Sequence, residues 1–580
     1  MIAHSSVRDA CGKRPADQQN GSVESDQVRM RVSFSRPPGP LSRLVSIPSL
    51  SPDHPMTAIS NSPSAPNLAA FRPPSIAAAF ACLVAATVAL LGATDPTFAE
   101  DSSRPNFVIL IADDIGHDDL GCTGNADVRT PNIDALATEG VQFTNAFLTA
   151  SSCSPSRSSM ITGRYPHNLG NAAELHREIA WHLPSFPGLL REAGYYTALS
   201  GKNHMKWENS PAGEAVPTPP FDRTYGGNAK GNSGGHAQWV QAIEDHPAGQ
   251  PFLLWLASYD AHRAWDADGQ WDETQYGPKV DPATVLLPPA LRDTPATRQD
   301  YASYLNEVIR FDHYVGRVVD HLKSEGLFDN TYLFVLTDNG RPFPRAKTRL
   351  HDDGMQTYLI VTGPAVTRPG VPSHSLVSTV DLAPTVMELA DQSPAQTFQG
   401  ESLVPVLRDP TASVRPYAFS EHNWHDYEAH GRSIRDDRWL LIRNFRPEFA
   451  MQGPADSVRS PSHQDLRTGA ASVQPLTPIQ ADVLRSPREN LELYDRIADP
   501  HQVRNLAGEP ALASIQERLA SALDHWMEVT RDEVPEEITS DTFNRATGKP
   551  LPGVSRKSED VRRPAPGVAA GAARVNEDGL

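Results

Sequence analysis

The chain has 580 residues and a formal net charge of −18 at neutral pH, and hydrophobic residues make up 39% of it. That length is sufficient for a large hydrophobic core and for more than one structural unit. The acidic balance argues against general binding to nucleic acids or to anionic membrane surfaces, but it leaves room for an anionic ligand in a local cationic pocket.

The first hundred residues do not have the pattern of a folded enzyme. Residues 1–75 are rich in Ser, Pro and Arg without periodicity, and we expect a disordered or mis-started leader there. Residues 76–99 follow a positive flank at Arg72 and combine an apolar run with small residues before a cleavage point after Ala99, which is typical of a signal peptide. A membrane anchor is the alternative, although the run is short for a full span. The sequence therefore predicts an exported, periplasmic or extracellular protein without a stable membrane partner.

The composition after residue 99 bears on the source of the protein. This part of the chain contains no Asn-x-Ser/Thr sequon, which favours a bacterial protein over a glycosylated eukaryotic one. Cys122 and Cys153 are its only cysteines, so a disulfide scaffold is excluded. We interpret Cys122 as structural.

Residues 100–400 show the pattern of an α/β domain. Short continuous apolar runs indicate strands buried on both faces of a parallel sheet, and helical apolar spacing lies between them. The runs are residues 106–112, 251–258, 332–336 and 358–362, and the helical patterns are residues 133–139, 186–193 and 298–325. We therefore predict a large, mostly parallel sheet flanked by helices.

The pattern of the sequence changes after residue 400. Strand-like segments at residues 438–443 and 491–494 and a closing helix at residues 511–529 predict a smaller sheet-and-helix subdomain over residues 401–534. Residues 450–488 are a Pro-, Ser- and Gly-rich excursion within it. We expect a disordered tail over residues 535–580.

Polar side chains follow two of the predicted strands. Asp113 and Asp114 end the first strand, and Asp338 and Asn339 follow the third. Because ligands bind at the carboxyl ends of parallel strands, these side chains are candidates for one site. An all-oxygen set suits calcium or magnesium rather than zinc. Either pair alone is more often a turn or a helix cap, so the metal site depends on both.

Between these pairs lies Cys-Ser-Pro-Ser-Arg at residues 153–157, followed by Thr-Gly-Arg at residues 162–164. With the acidic pairs at family-like spacing, this pattern resembles the signature of the sulfatase family. The resemblance implies that a formylglycine-generating enzyme oxidises Cys153 to formylglycine. It implies an alkaline-phosphatase-like α/β sandwich with a small C-terminal subdomain. It also implies one calcium ion, with magnesium compatible, and the ligands Asp113, Asp114, Cys153, Asp338 and Asn339.

By the same resemblance, five further residues carry the chemistry. Arg157 would hold the hydrated aldehyde or a sulfate oxygen, and Lys202 and Lys347 would neutralise the sulfate. His262 would give a proton to the leaving group. His204 would remove the proton whose loss expels sulfate and regenerates the aldehyde.

Several segments resemble one branch of the family, the sulfamidases, which remove sulfate from the nitrogen of glucosamine. The segments are residues 152–159, 174–176, 260–263, 338–344 and 492–507. The implied substrate is a sulfated sugar or glycosaminoglycan fragment that contains N-sulfoglucosamine. Lys347 departs from this branch, which carries an arginine there. Residues 446–488, where rim loops are expected, diverge as well.

Four residues are candidates for substrate contacts. His176 and Arg263 would grip anionic groups of the sugar, and His422 and His425 would line the rim of the site. A surface or structural role is the alternative for each of them.

Other functions remain open at this point. An O-sulfatase or arylsulfatase on another polysaccharide would use the same nucleophile and metal. A phosphatase or phosphodiesterase of the same superfamily would use Ser or Thr and two zinc ions. A non-catalytic glycan-binding protein would keep Cys153 unmodified. The sequence leaves the oligomeric state open.

Overall fold

The computed structural model describes residues 104–226, 233–471 and 475–554. The predicted leader of residues 1–75 and the predicted signal peptide of residues 76–99 lie outside the described residues. Among the helices of the described ranges, none has the length and hydrophobicity that crossing a lipid bilayer requires.

The main sheet is built from eight strands of the described residues. In chain order they are β1 (Asn106–Ala112), β2 (Val141–Phe147), β3 (Tyr196–Gly201), β4 (Arg223–Tyr225), β5 (Phe252–Ala257), β6 (Thr331–Thr337), β7 (Gln356–Thr362) and β8 (Ser373–Ser378). Their order across the sheet is β4-β3-β5-β1-β6-β7-β2-β8. The pairings are parallel except those of β7, which runs antiparallel to β6 and β2. The predicted large, mostly parallel sheet is confirmed.

The four apolar runs in the sequence are β1, β5, β6 and β7. Every residue of β1, β5 and β6 is buried, because helices cover both faces of the sheet. The helices of the main domain are α1 (Pro131–Glu139), α2 (Cys153–Thr162), α3 (Phe186–Glu192), α4 (Trp239–Glu244), α5 (Glu273–Tyr276), α6 (Pro295–Ser324), α7 (Asp352–Met355), α8 (Leu382–Leu389) and α9 (Val404–Arg408).

The long helix α6 shows why these segments begin where they do. The Thr294 side chain accepts a hydrogen bond from the Thr297 backbone N–H at 3.1 Å, and Pro295 occupies the first helical position. A capping hydroxyl and an N-terminal proline both favour a helix start. The helix therefore begins three residues before the predicted one.

A second, smaller sheet is antiparallel and lies in the C-terminal part of the chain. Its strands, β9 (Ala418–His422), β10 (Gly431–Arg435), β11 (Trp439–Asn444) and β12 (Leu491–Asp495), are arranged in the order β12-β11-β10-β9. Helix α13 (Ala513–Val529) packs on this sheet, and its Trp526 ring stacks on Phe419 with the ring centroids 4.8 Å apart. The predicted sheet-and-helix character of this region is confirmed.

The Pro-rich excursion of residues 450–488 contains three short helices, α10 (Ala455–Arg459), α11 (Pro461–Ala470) and α12 (Pro478–Asp482). The prediction of a disordered tail from residue 535 is wrong for residues 535–554. The Trp424 indole N–H donates to the Ser540 carbonyl at 3.0 Å, and the Thr542 N–H donates to the Asp426 carbonyl at 2.9 Å. These long-range hydrogen bonds order a segment whose composition alone indicates disorder. Residues 555–580 lie outside the described part of the chain.

Candidate active site

Two neighbouring strands bring the acidic pairs together. β1 and β6 are parallel and in register, so that Ala112 lies beside Thr337 where both strands end. Asp113 and Asp114 therefore meet Asp338, and the Asp114 N–H donates to Asp338 Oδ1 at 3.3 Å. These carboxylates are fully buried. The sheet thus gathers acidic groups that are more than two hundred residues apart in sequence.

Cys153 is the first residue of α2 and points into this acidic group. Its Sγ accepts hydrogen bonds from Asn339 Nδ2 and Lys347 Nζ, both at 3.2 Å, and lies 3.8 Å from Asp113 Oδ1. The residue is only 2% exposed. Burial raises the pKa of the thiol to about 12, although the nearby Lys202 opposes the shift. An unmodified Cys153 is therefore a protonated thiol at neutral pH rather than a thiolate nucleophile.

Arg157 lies one turn further along α2 and is completely buried. Its Nε donates to Asp338 Oδ2 at 2.6 Å, and its Nη1 donates to the Lys202 carbonyl at 3.1 Å. A charged guanidinium is stable inside a protein only with such partners. Arg157 therefore joins the helix that carries Cys153 to the end of β6.

Two lysines pair with the other two carboxylates of the acidic cluster. Lys347 Nζ donates to Asp114 Oδ2 at 2.7 Å, and Lys202 forms an ion pair with Asp113. Burial raises the pKa of Asp114 to about 6. Lys347 opposes this rise, and the negative charge of the neighbouring Asp113 adds to it. For Asp113, burial acts in the same direction, but Lys202 and then His262 hold its pKa well below the ordinary value.

The donor set of this cluster fits a hard divalent cation. The ligand atoms of Asp113, Asp114 and Cys153 lie within 4.8 Å of one another. Asn339 Nδ2 contacts Asp114 Oδ1 at 2.9 Å and Asp338 Oδ1 at 2.7 Å, and the buried Asn339 Oδ1 is without a hydrogen-bond partner among the described residues. Carboxylate oxygens are what Ca²⁺ and Mg²⁺ prefer, and a half-turn of the Asn339 amide would bring its oxygen to the place that Nδ2 now occupies. The residues predicted as metal ligands are thus brought together and can hold a metal ion.

A second acidic group has a different explanation. Asp260, Asp266 and Glu307 also converge. Arg310 Nη2 donates to Asp260 Oδ1 at 2.5 Å and to Asp266 Oδ1 at 2.6 Å. Arg310 Nε also donates to Asp260 Oδ2 at 2.9 Å, so both oxygens of Asp260 are already engaged, and we assign no metal there.

Two of the predicted histidines form a pair beside Lys202. His204 Nε2 lies 2.5 Å from His176 Nδ1. Both residues have left-handed backbones, with φ of 54° and 63°, and the His176 N–H donates to Ser154 Oγ at 2.7 Å. Burial, followed by the charge of Lys202, holds the pKa of His204 well below its usual range. His204 is therefore a neutral imidazole at neutral pH.

His262 reaches the site from the segment after β5. Its Nδ1 lies 2.5 Å from the Arg263 carbonyl, so Nδ1 carries the hydrogen and donates it. Its Nε2 lies 3.7 Å from Asp456 Oδ2, and the side chain is 34% exposed. Nε2 is therefore the nitrogen that is available to a substrate.

Arg263 does not have the geometry of the predicted substrate contact. Its Nη1 and Nη2 donate to the two oxygens of Asp300 at 2.7 and 2.8 Å. The guanidinium also lies 4.5 Å from the ring centroid of Trp265 and 4.6 Å from that of Phe343. Because the guanidinium is already paired within the protein, Arg263 fixes the loop of His262 rather than binding a sugar.

The two rim histidines line one pocket, and His425 also contacts the residue before the nucleophile. His425 Nδ1 lies 2.7 Å from the Oγ of Ser152, the residue before Cys153. His422 is buried in this pocket, which Thr348 also lines. Burial, then the charge of Arg432, lowers its pKa to about 4. His425 thus connects this pocket to the nucleophile helix, and His422 is part of the buried wall of the same pocket.

Asp456 and Asp300 are the residues at this site that sequence reasoning missed. Asp456 comes from the Pro-rich excursion, where the sequence shows neither a strand nor a motif. Asp300 lies within the amphipathic pattern of α6, where an acidic residue indicates only a polar face. The spacing of charges along the chain contains no signal for either contact.

Comparisons with known proteins agree with this geometry. The family profile described as Sulfatase matches residues 105–392, and the profile described as N-sulphoglucosamine sulphohydrolase, C-terminal, matches residues 345–452. The chain is 31% identical to N-sulphoglucosamine sulphohydrolase of Homo sapiens over 474 residues, which cover 74% of this chain and 91% of that protein. It is 28% identical to an ulvan-active sulfatase of Formosa agariphila over 499 residues, or 77% of this chain and 79% of that protein.

The fold is also similar to that of solved structures. One is the structure of BT4656 in complex with its substrate D-glucosamine-2-N,6-O-disulfate, with a TM-score of 0.57 and 19% identity. The similarity covers 75% of this chain and 99% of that chain. The predicted sandwich fold is confirmed.

Proposed function

The chain belongs to the sulfatase family, and on that premise we propose that it hydrolyses the sulfamate of N-sulfoglucosamine in a sulfated sugar or glycosaminoglycan fragment. Membership makes it a hydrolase of sulfate esters or sulfamates. The observation that carries the finer proposal is the 31% identity to N-sulphoglucosamine sulphohydrolase, which extends over 91% of that protein. The matched C-terminal profile, residues 345–452, includes Lys347 and His425 at the site.

We infer that Cys153 is the precursor of the nucleophile and that a formylglycine-generating enzyme is its maturation partner. The Cys-Ser-Pro-Ser-Arg motif supports this proposal, and so does a buried thiol that stays protonated at neutral pH. When it is present, the hydrated aldehyde supplies the oxygen that attacks sulfur.

Calcium is the ion that we propose for the acidic cluster. Asp113, Asp114, Asp338 and Asn339 would hold it with oxygen atoms, together with the modified residue 153. When it is bound, the ion supplies positive charge where the transferring sulfate group develops negative charge.

The cations of the chain bind the sulfate group. Lys202 and Lys347 reach the nucleophile position from two sides, since each is paired with a different carboxylate of the cluster. The planar fork of Arg157 is fixed by Asp338. Positive groups that are held in place before the reaction stabilise the transition state at little cost in reorganisation.

The two histidines move protons at opposite ends of the reaction. His262 Nε2 is the ring nitrogen that the Arg263 carbonyl does not engage, and it would protonate the departing nitrogen. His204 is neutral because of burial and Lys202, and it would accept the proton whose loss expels sulfate.

We also propose that the protein is exported through the segment at residues 76–99, which has the layout of a signal peptide. Sulfated glycans are too large to enter a cell unaided, so an enzyme outside the cytoplasm would meet them directly.

The test is sulfate release from N-sulfoglucosamine and from glucosamine 6-O-sulfate by protein from a host that makes formylglycine. We expect release from the N-sulfated sugar. Absence of release from the N-sulfated sugar would contradict the sulfamidase assignment. Release from the 6-O-sulfated sugar alone would indicate an O-sulfatase instead.

A further inference from the structure

The carboxylate of Asp456 lies beside His262, the residue proposed to protonate the leaving group. The Ser457 N–H donates to its Oδ1 at 2.8 Å, which leaves Oδ2 facing His262 Nε2 at 3.7 Å. The preceding peptide is held as well, since the Ala455 N–H donates to Asp426 Oδ2 at 3.0 Å. Asp456 is 21% exposed, so Oδ2 can be reached by a bound sugar.

The distance between Asp456 and His262 is set by a shared anchor. Asp300 accepts both hydrogen bonds from Arg263, the residue after His262. The same carboxylate accepts from Ser462 Oγ at 2.8 Å, on the helix that follows Asp456. One buried acidic group thus fixes the loop of His262 and the segment of Asp456 to the same helix, α6.

Asp456 is ionised at neutral pH. Burial alone raises the pKa of a carboxyl group, but Lys347, followed by His262, brings the pKa of Asp456 below its ordinary value. A negative charge at this place repels an incoming sulfate group and gives no advantage for sulfate binding itself. The negative charge of Asp456 must therefore act at a step other than the binding of the sulfate group.

The two reactions that a sulfatase can catalyse differ in the charge left on the sugar. Hydrolysis of a sulfamate, R–NH–SO₃⁻ plus water, gives R–NH₃⁺ and SO₄²⁻. The S–N bond breaks, an S–O bond forms, and nitrogen keeps the electron pair. The lone pair of the nitrogen takes one proton from His262 as the S–N bond breaks, so the nitrogen carries positive charge during the reaction. The pair left by the broken bond takes a second proton from solvent, which completes the ammonium group. Hydrolysis of a sulfate ester leaves a neutral hydroxyl group instead.

We propose that Asp456 is a specificity-determining residue for sulfamates, because its carboxylate holds the nitrogen of the sugar as that nitrogen becomes an ammonium group. This inference rests on the proposed function and adds the residue that distinguishes nitrogen from oxygen leaving groups. A carboxylate near a developing cation stabilises it, and a neutral hydroxyl group gains far less from the same contact.

The test compares wild-type protein with Asp456→Asn on N-sulfoglucosamine and on 4-nitrophenyl sulfate, whose leaving group never becomes a cation. We expect kcat/KM for N-sulfoglucosamine to fall by at least about tenfold and that for the aryl sulfate to change by less than about twofold. Asp456→Glu, which keeps the charge, should restore part of the loss. Asp437→Asn is the matched control, since Asp437 is exposed in a turn of the small sheet.

Product inhibition tests the same inference without a variant that has to fold. Glucosamine, which carries the ammonium group, should inhibit the wild-type protein at least about tenfold more strongly than glucose. Asp456→Asn should remove that difference. Equal inhibition of the wild-type protein by the two sugars overturns the proposal.

The outcomes separate the two levels of inference. A wild-type protein that releases no sulfate from N-sulfoglucosamine contradicts the proposed function and this inference together. A wild-type protein that does so, with Asp456→Asn lowering both activities equally, leaves the function standing. That result would overturn the role of Asp456 in specificity. A role only in positioning His262 would spare the aryl sulfate as well, and product inhibition identifies it, because glucosamine would then inhibit no more strongly than glucose.

Discussion

Arg157 Nε and Asp338 Oδ2 form an ion pair of 2.6 Å in which neither side chain is exposed to solvent. The pair joins the first turn of α2, which begins at Cys153, to the residue that follows β6. The arginine that binds sulfate in the proposed mechanism is thus also the residue that holds the nucleophile helix against the sheet.

Replacement of Arg157 by Ala should therefore affect folding and activity together. It leaves Asp338 as a buried charge without its partner, so the free energy of unfolding should fall by about 3–5 kcal/mol. Urea denaturation and sulfate release measure the two effects. Arg504→Ala is the matched control, because its ion pair with Glu509 is exposed and is worth at most about 1 kcal/mol. Equal stability losses in the two variants would contradict the buried pair.

Removal of a bound divalent ion should destabilise the protein. Asp113, Asp114 and Asp338 converge in the folded chain alone, and an ion that binds there at one hundred times its dissociation constant adds about 2.7 kcal/mol to the free energy of unfolding. Thermal unfolding after EDTA treatment, with Ca²⁺ or Mg²⁺ restored, measures this gain. Asp114→Asn should abolish the response, whereas Asp437→Asn should keep it. An unfolding temperature that is indifferent to EDTA argues against the metal site, and so does the finding of two tightly held zinc ions.

The acidic pairs and the nucleophile motif are predictable from sequence because local patterns encode them. A strand that ends in Asp113-Asp114 is visible in a few residues, and so is the motif at residues 153–157. The antiparallel direction of β7 is not visible, since a strand buried on both faces has the same apolar pattern in either direction. β10 is similarly hidden. In the sequence its Arg432 indicates an exposed polar position. In the structure Arg432 is buried and donates to Asp532, one hundred residues later.

The contacts around His262 depend on the tertiary structure alone. Arg263 has the composition of a sugar-binding residue, and only the packing of α6 shows that Asp300 already occupies its guanidinium. Asp456 lies almost two hundred residues after His262, and its segment has no pattern of its own. These contacts arise from long-range packing, which the spacing of residues along the chain does not reveal.

His262→Ala should slow substrates according to the quality of their leaving group. A general acid contributes about 10²–10⁴ to the rate when the leaving group needs a proton. The loss should therefore be of that size for N-sulfoglucosamine and much smaller for 4-nitrophenyl sulfate, because nitrophenolate departs without a proton. His204→Ala should instead lower both activities by a similar factor. If His262→Ala slows both substrates equally, His262 is not the acid.

Stability should decline as the pH falls from about 6.5 to about 4. Burial holds the pKa of His422 and of His463 at about 4, where 6.5 is the ordinary value. Within this window the unfolded chain binds the protons and the folded chain does not. The contribution is therefore complete above about pH 6.5 and is lost on acidification, by roughly 1–3 kcal/mol for each histidine.

Urea denaturation at pH 7 and at pH 5 measures that decline. His463→Gln should reduce the difference between the two pH values, because it removes one of the groups that binds protons on unfolding. His182→Gln is the control, since His182 is exposed. A difference that His463→Gln leaves unchanged would show that His463 does not contribute.

The identity of residue 153 in the mature protein tests the central claim most directly. Trypsin releases residues 130–157 as one peptide, which contains Cys153 and ends at Arg157. Conversion of the thiol to the aldehyde makes this peptide about 18 Da lighter. We predict that mass in sulfatase-active protein, with activity proportional to the converted fraction. Full activity in a preparation that contains only the unmodified cysteine peptide would contradict the account.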